Sequence, residues 1–251
     1  MTEDISTARA DREGASANRR QRGALLFLRD LHVIFVVAVL VSFLIKTFLI
    51  RSFFIPSESM EMTLVKDDRI IVNQLVPEVT PLERGDVVVF KDPGGWLPAR
   101  VEVQQPPLVA AVDWFLAFVG LSAPDSNDHL VKRVIGLPGD HVACCNALGQ
   151  MSVNGVPLDE PFVVLPAGES KVSRDDFDEV VPADSLWVMG DNRYNSKDSR
   201  YNAETPLKGF VPVGNVVGRA FVVSWPVSHW AWLGNYPDTF AGVGEAAEGG
   251  D

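Results

Sequence analysis

The sequence contains few cysteines, few histidines and no excess of basic charge. Two cysteines among 251 residues cannot build a disulfide-rich scaffold or a four-cysteine zinc site. The 22 basic and 33 acidic side chains give a formal net charge of −11, which argues against nucleic acid as a partner because phosphate backbones attract lysine and arginine. Hydrophobic residues make up 47% of the chain, as in a folded globular protein. We therefore predict a folded protein with no metal, no cofactor and no nucleic-acid partner.

Long hydrophobic runs are also scarce, and one of them lies near the N-terminus. Residues 31–50 (LHVIFVVAVLVSFLIKTFLI) are almost entirely apolar, and as a helix they would span roughly 30 Å of hydrocarbon at about 1.5 Å per residue. A buried core helix and a cleaved signal peptide are the alternatives. The residues after the run are too bulky for a signal-peptide cleavage site. We predict one uncleaved transmembrane anchor at residues 31–50, after a disordered tail at residues 1–30.

Charge is distributed unevenly along the chain. The residues up to Arg51 include eight basic and five acidic side chains, which leaves a net charge of −14 for the remainder. The positive-inside rule favours a cytoplasmic N-terminus for such a single-pass protein. We therefore expect an extracytoplasmic domain at residues 51–235, followed by an acidic, disordered tail at residues 236–251.

The body of the chain is typical of a mainly β protein. Short valine-rich segments alternate with glycine and proline turns, and Asn154-Gly155 favours a type I′ hairpin. The predicted strands are residues 69–73, 86–91, 129–135, 150–153, 185–189 and 216–223. We expect curled antiparallel sheets, with a β-rich insert at about residues 141–184.

Two further segments stand out within this domain. Residues 108–121 form an apolar stretch too short to span a bilayer, so we expect either a helix packed on the sheet or a surface helix dipping into the membrane. Cys144 and Cys145 are adjacent. Because Cα atoms across a trans peptide lie about 3.8 Å apart, below the usual disulfide range of about 4.4–6.8 Å, we expect two free thiols.

A serine-rich segment directly after the apolar run is a candidate for nucleophilic chemistry. Serine needs a base to remove its proton, but none of the four histidines lies in a recognisable hydrolase signature, and a G-x-S-x-G motif is missing. Lysine can act as the base when burial lowers its pKa. Lys132 lies in an apolar, strand-like run, although lysines on strands more often face solvent.

Four segments in order resemble the type I signal peptidase family of membrane-bound Ser/Lys endopeptidases. They are residues 55–64 (IPSESMEMTL), 84–93 (RGDVVVFKDP), 132–140 (KRVIGLPGD) and 190–200 (GDNRYNSKDSR). The resemblance implies that Ser59 is the nucleophile and Lys132 the general base, with an oxyanion hole formed by Ser57 and the Ser59 backbone N–H. It assigns supporting roles to Ser196, Asp191, Asp198, Arg200 and Arg133, and substrate contacts to Phe53, Ile55, Pro56, Met60, Leu64, Leu130 and Val131.

The same resemblance implies a substrate, a location and a fold. The family cleaves the signal peptides of exported preproteins after Ala-x-Ala-like sites, so we expect a bacterial cell-membrane protein with the bilayer and the protein-export channel as partners. The expected fold is the one that signal peptidases share with repressor-type Ser/Lys proteases. A repressor-type protease would need a DNA-binding segment where this chain has an apolar run, and a degenerate, non-catalytic binding subunit is the other alternative. Met62 replaces the usual proline, and Tyr194 replaces a common acidic residue.

Overall fold

The computed structural model describes residues 26–45, 48–98, 106, 109 and 128–244, and it divides the chain into two units, Met1–Phe48 and Leu49–Asp251. In the first unit, helix α1 spans Leu26–Ile45, and it is long and apolar enough to cross a membrane. Residues 31–45 of the predicted anchor lie in this helix, and so do residues 26–30 of the predicted tail, whereas residues 46–47 lie outside the described residues. Ile50 is already the first residue of a strand. The prediction placed it in the anchor because apolar composition alone does not distinguish the end of a helix from a following strand.

The described residues of the second unit form twelve strands in two antiparallel sheets. The strands are β1 (Ile50–Phe54), β2 (Arg69–Asn73), β3 (Val87–Lys91), β4 (His129–Gly136), β5 (His141–Cys144), β6 (Ser152–Val153), β7 (Val156–Pro157), β8 (Phe177–Val180), β9 (Ser185–Met189), β10 (Val211–Pro212), β11 (Val216–Trp225) and β12 (Ala231–Trp232). The larger sheet has the order β1-β2-β11-β3-β4-β9-β10, with β12 paired to β11, and the smaller has the order β7-β6-β5-β8. The prediction of a mainly β fold with antiparallel sheets is confirmed.

Local sequence explains several of these elements. The strands predicted at residues 69–73 and 185–189 have those bounds, because both are rich in valine, isoleucine or other large apolar residues. Between β6 and β7, Asn154 and Gly155 have φ angles of 52° and 78°, as the predicted type I′ hairpin requires. Short 3-10 helices follow at Ser199–Tyr201, Val213–Asn215, Val227–His229 and Pro237–Phe240.

One core cluster supports the loop that joins β1 to β2. Phe53 and Ile55 enter the loop from β1, Met60 and Leu64 lie within it, and Ile70 leaves it on β2; none is more than 2% exposed. Full burial of a side chain of this size stabilises a fold by about 1.5–3 kcal/mol. The loop is therefore anchored at both ends and at its centre.

Of three other predictions, one lies outside the described residues and two differ from the structure. The apolar insert at residues 108–121 and the ends of the chain at residues 1–25 and 245–251 lie outside the described residues, apart from Val109. The tail predicted at residues 236–251 is structured in its first part, because Phe240 and Val243 are buried in a core cluster. Cys144 and Cys145 are joined by a disulfide rather than left as free thiols; the peptide between them is cis, whereas the prediction assumed a trans peptide.

Candidate active site

The loop between β1 and β2 carries Ser59. The backbone of Ile55 closes the base of the loop by donating to the carbonyl of Asp68 at 2.9 Å. Within the loop, Met60 and Leu64 point into the core, which leaves Ser59 at the boundary between core and surface with 9% of its area exposed. The burial of its neighbours therefore fixes the position of the Ser59 hydroxyl.

Met62 gives this loop an unusual backbone. Its φ angle is 89°, whereas proline is restricted to a φ near −65°. The proline that the resemblance leads one to expect at this position could not be accommodated in this conformation. The side chain of Met62 is 61% exposed, so the substitution changes the path of the loop rather than the packing of the core.

Strand β4 brings Lys132 to the nucleophile. The Lys132 Nζ atom lies 2.7 Å from the Ser59 Oγ atom and donates a second hydrogen bond to the Val131 carbonyl at 3.0 Å. The lysine is only 3% exposed. Two side chains that are 73 residues apart in the sequence thus form a direct contact with little access for water.

Burial lowers the pKa of Lys132 from its usual value to about 8, although the carboxylates of Asp198 and Asp191 act in the opposite direction. At a pH near 8, about half of these amines are neutral. A protonated amine donates to the Ser59 oxygen, whereas a neutral amine accepts the hydroxyl proton over the same contact. The arrangement can therefore activate a serine without a histidine.

Ser57 supplies a second hydroxyl beside the nucleophile. Its Oγ atom lies 3.3 Å from the Ser59 Oγ atom, and its side chain is exposed at the surface. Fixed hydrogen-bond donors beside an attacked carbonyl stabilise the negative charge that develops on its oxygen. The Ser57 hydroxyl and the Ser59 backbone N–H lie on the same short segment and could fulfil this role together.

A buried ion pair lies next to Lys132 in the sequence. Arg133 donates to both oxygens of Asp191, at 2.8 and 2.6 Å, and both side chains are fully buried. Thr63, in the loop of the nucleophile, donates a further hydrogen bond to Asp191. Because β4 pairs with β9 through Arg133 and Met189, the chain that leaves β9 passes beside Arg133 and carries Asp191 with it. This ion pair joins the nucleophile loop to the strand of the lysine.

A second ion pair supports the same region. Arg200 donates to both oxygens of Asp198, at 2.9 and 2.8 Å, and the backbone N–H of Gly190 donates to Asp198 at 2.9 Å. Burial alone would raise the pKa of Asp198, but the hydrogen bonds and positive charge of Arg200 outweigh burial and lower it. Asp198 therefore stays ionised, and its charge favours the protonated form of Lys132.

Gly190 allows this segment to approach the nucleophile loop closely. A Cβ atom at this position would lie 2.4 Å from the Ser59 carbonyl oxygen and 2.3 Å from the Ser196 hydroxyl. Any larger residue would force the two segments apart. The glycine that opens the fourth sequence block is thus required by packing against Ser59.

Ser196 lies beside the site but does not make the expected hydrogen bond to the lysine. The hydrogen bonds of Lys132 Nζ go to Ser59 and Val131, and Ser196 Oγ, which is buried, finds no hydrogen-bond partner among the described residues. The Ser196 side chain lies close to Gly190, where an added Cβ atom would meet it. Its assigned role in orienting the amine stays a prediction.

The residues expected to contact substrate fall into two groups. Phe53, Ile55, Met60 and Leu64 belong to the core cluster and are at most 2% exposed, so they present almost no surface. Their apolar side chains anchor the nucleophile loop, and their assignment as substrate contacts stays a prediction. The remaining three, Pro56, Leu130 and Val131, keep accessible surface; Val131 packs against the cluster of the nucleophile loop, whereas Leu130 packs against a different cluster.

Two contributors to the site were missed by the sequence analysis. Arg193 and Glu160 form a buried bidentate ion pair at 2.8 and 2.6 Å, and Arg193 also donates to the Gly190 carbonyl. Asn192 donates its backbone N–H to the Ser59 carbonyl at 3.2 Å. Both Arg193 and Asn192 lie inside the fourth sequence block, which is a signal that could have identified them. Glu160 has no such signal in the sequence.

Histidine takes no part in the hydrogen bonds of the nucleophile. His141 and His229 each pair with an aspartate, Asp178 at 2.5 Å and Asp68 at 2.7 Å. Among residues 26–45, 48–98 and 128–244, no group of three or more His, Cys, Asp or Glu side chains could hold a metal ion.

Comparison with known proteins gives the family of this chain. The family model described as "Signal peptidase, peptidase S26" matches residues 28–225. A probable signal peptidase I of Mycobacterium leprae is 36% identical over 94% of this chain and 88% of its own length, and signal peptidase I of Mycobacterium tuberculosis is 39% identical over 81% and 74%. Signal peptidase I of Leptolyngbya laminosa is 36% identical over 80% of this chain and 81% of its own length. This chain belongs to the signal peptidase family, peptidase S26.

Proposed function

We propose that this chain is a membrane-anchored endopeptidase that cleaves signal peptides from exported preproteins, with Ser59 as nucleophile and Lys132 as general base. The observation that carries the proposal is the 2.7 Å contact between Ser59 Oγ and a buried lysine whose pKa is lowered to about 8. Family membership and relatives named signal peptidase I across bacteria support the substrate class.

The first half of the reaction follows from this contact. Neutral Lys132 accepts the Ser59 hydroxyl proton while Oγ attacks the scissile carbonyl carbon. The oxyanion that forms receives hydrogen bonds from the Ser59 backbone N–H and the Ser57 hydroxyl. The C–N bond then breaks, protonated Lys132 returns its proton to the leaving amine, and the mature protein departs. The signal peptide stays attached to Ser59 as an ester.

The second half releases the signal peptide. Lys132, again neutral, removes a proton from a water molecule, and the hydroxide attacks the ester carbonyl. The Ser59 oxygen leaves and regains its proton from Lys132, so the signal peptide departs with a free carboxylate. The ion pairs of Asp191 and Asp198 hold the lysine and the nucleophile loop in register throughout, as positioning groups.

Recognition of the cleavage site rests on the accessible apolar residues beside Ser59. Leu130 and Val131 lie on β4 next to Lys132, and Pro56 lies in the nucleophile loop. An extended substrate beside this edge would place small side chains against a shallow surface, and larger ones would overlap with it. This arrangement agrees with cleavage after Ala-x-Ala-like sites.

Anchoring restricts the enzyme to the membrane that holds its substrates. Ser59 follows Phe48, the last residue of the first unit, by eleven residues, which reach about 40 Å at most when fully extended. Confinement of this kind raises the effective concentration of a membrane-bound signal peptide. We place the N-terminus in the cytoplasm and the β domain outside it, with the protein-export channel as a neighbour. Digestion of the β domain by protease added to right-side-out vesicles would support this orientation, and its protection would contradict it.

The test of the catalytic assignment uses full-length protein in detergent and a preprotein with an Ala-x-Ala site. Ser59→Ala and Lys132→Ala should each abolish processing while the thermal unfolding midpoint stays close to that of the wild type. Lys66→Ala, a change to an exposed lysine in the same loop, is the matched control and should process normally. Full activity of Lys132→Ala would refute the lysine base. An inactive wild type would instead favour the degenerate binding subunit.

A further inference from the structure

Two exposed carboxylates flank the nucleophile. Glu58 directly precedes Ser59, and Glu61 follows it by two residues. Asn195 donates its side-chain amide to the Glu58 carboxylate at 3.3 Å, and Asn192 donates to Glu61 at 3.2 Å. Across residues 48–98 and 128–244, neither carboxylate forms an ion pair with a basic side chain. Two negative charges are therefore held in place, unneutralised, beside the reacting hydroxyl.

Both carboxylates are held by side-chain amides of the segment that follows β9. Asn192 and Asn195 belong to the segment that follows β9, whereas the accessible apolar residues Leu130 and Val131 belong to β4. In the proposed function, the small residues before the scissile bond lie against β4. The first residues after the scissile bond would then lie close to Ser59, within reach of the electrostatic field of Glu58 and Glu61, which flank it in the sequence.

We propose that Glu58 and Glu61 make cleavage depend on the charge of the first residues of the mature protein. Acidic residues there slow cleavage by repulsion, and basic residues accelerate it. This inference rests on the proposed function, and it adds two specificity-determining residues to it. Their carboxylates do not react; they attract or repel charged substrate residues through their electrostatic field.

Coulomb's law gives the size of the effect for an assumed separation of about 7 Å between each carboxylate and a charge on the substrate. Two unit charges about 7 Å apart in water change an equilibrium or a rate by a factor of roughly two to three. Two carboxylates together should therefore disfavour one acidic substrate residue by about fivefold. Because the Debye length falls to about 3 Å at 1 M salt, the same effect should nearly vanish there.

The experiment compares peptide substrates that share one Ala-x-Ala site and differ at the second residue of the mature part, with Asp, Asn or Lys. Full-length enzyme in a neutral detergent is assayed for kcat/KM at low ionic strength. We expect the Asn peptide to be cleaved about fivefold faster than the Asp peptide, and the Lys peptide at least as fast as the Asn peptide. The ratio of Asn to Asp should fall to about one in the Glu58→Gln, Glu61→Gln double variant and in 1 M NaCl.

Glu78→Gln is the matched control. Glu78 is exposed and lies beyond the Asn73 end of β2, whereas the nucleophile loop joins the Arg69 end, so this variant should keep the wild-type ratio. Equal cleavage of all three peptides by the wild type, or an unchanged ratio in the double variant, would overturn the inference. So would a larger response to charge at the middle position of Ala-x-Ala. Failure to cleave any peptide would overturn the proposed function instead.

Discussion

Replacing Lys132 with methionine should abolish activity and yet stabilise the protein at pH 7. Burial lowers the pKa of this lysine from 10.5 to about 8. One pKa unit corresponds to about 1.4 kcal/mol, so keeping the ammonium in the folded state costs about 3 kcal/mol. Methionine fills a similar volume without a charge, but it leaves the Val131 carbonyl without its partner, which costs about 1 kcal/mol. The expected net gain at pH 7 is about 2 kcal/mol.

The sign of the stability change caused by Lys132→Met depends on pH. Below pH 8 the lysine is protonated in both the folded and the unfolded state, so the full cost of burying the charge is present. Between pH 8 and 10.5 the folded state releases the proton while the unfolded state keeps it, and the wild type gains stability as the pH rises. The advantage of Lys132→Met should therefore shrink through this range and become a loss of about 1 kcal/mol above it.

Denaturant unfolding followed by tryptophan fluorescence, in detergent at pH 7 and at pH 10, measures both values. Lys66→Met is the control, since this lysine is exposed, and its effect should be the same at the two pH values. If Lys132→Met destabilises the protein equally at pH 7 and pH 10, burial does not penalise the ammonium. The reasoning that links burial to a usable lysine base would then be refuted.

Three further predictions concern the neighbours of the dyad. Ser57→Ala should lower kcat by about 10²–10³ with little change in KM, because an oxyanion donor is lost; steady-state kinetics that show an unchanged kcat would contradict that role. Arg133→Lys should lower the free energy of unfolding by about 1–3 kcal/mol, since lysine keeps the positive charge but cannot make the bidentate contact to buried Asp191; an unchanged free energy in denaturant unfolding would contradict this role. Met62→Gly should stabilise the fold by about 1 kcal/mol and Met62→Pro should destabilise it, because the φ angle of 89° suits only glycine; equal unfolding midpoints would argue against this loop conformation.

The sequence predicted the parts of the fold that local chemistry determines. The strands at residues 69–73 and 185–189 and the turn at Asn154-Gly155 depend on side chains and backbone preferences within a few residues. The predicted tail included residues 26–30, which belong to α1, and the predicted anchor included Ile50, which belongs to β1, since the apolar composition continues into that strand. The burial of Phe240 was missed, because the glycine-rich, acidic composition around it gives no sign of a distant core.

The residues of the candidate site could be predicted only where they lie in a sequence block that resembles the family. Ser59 and Lys132 were assigned through resemblance to a family, because nothing local brings together two side chains 73 residues apart. The pairing of Arg193 with Glu160 depends on how the smaller sheet packs against the segment after β9, which no spacing in the sequence reveals. Likewise, the burial of Phe53 could not be predicted from its place in the sequence just before the nucleophile loop.

The pH dependence of kcat/KM for wild-type enzyme and an Ala-x-Ala peptide reports the pKa of the essential base in the free enzyme. If buried Lys132 is that base, kcat/KM should rise with pH through an apparent pKa of about 8 and level off above it. The acid limb should be the same at low and high salt, because the groups that set this pKa are buried. An apparent pKa near 10.4, the value of an exposed lysine, would contradict the assignment of Lys132 as a buried base.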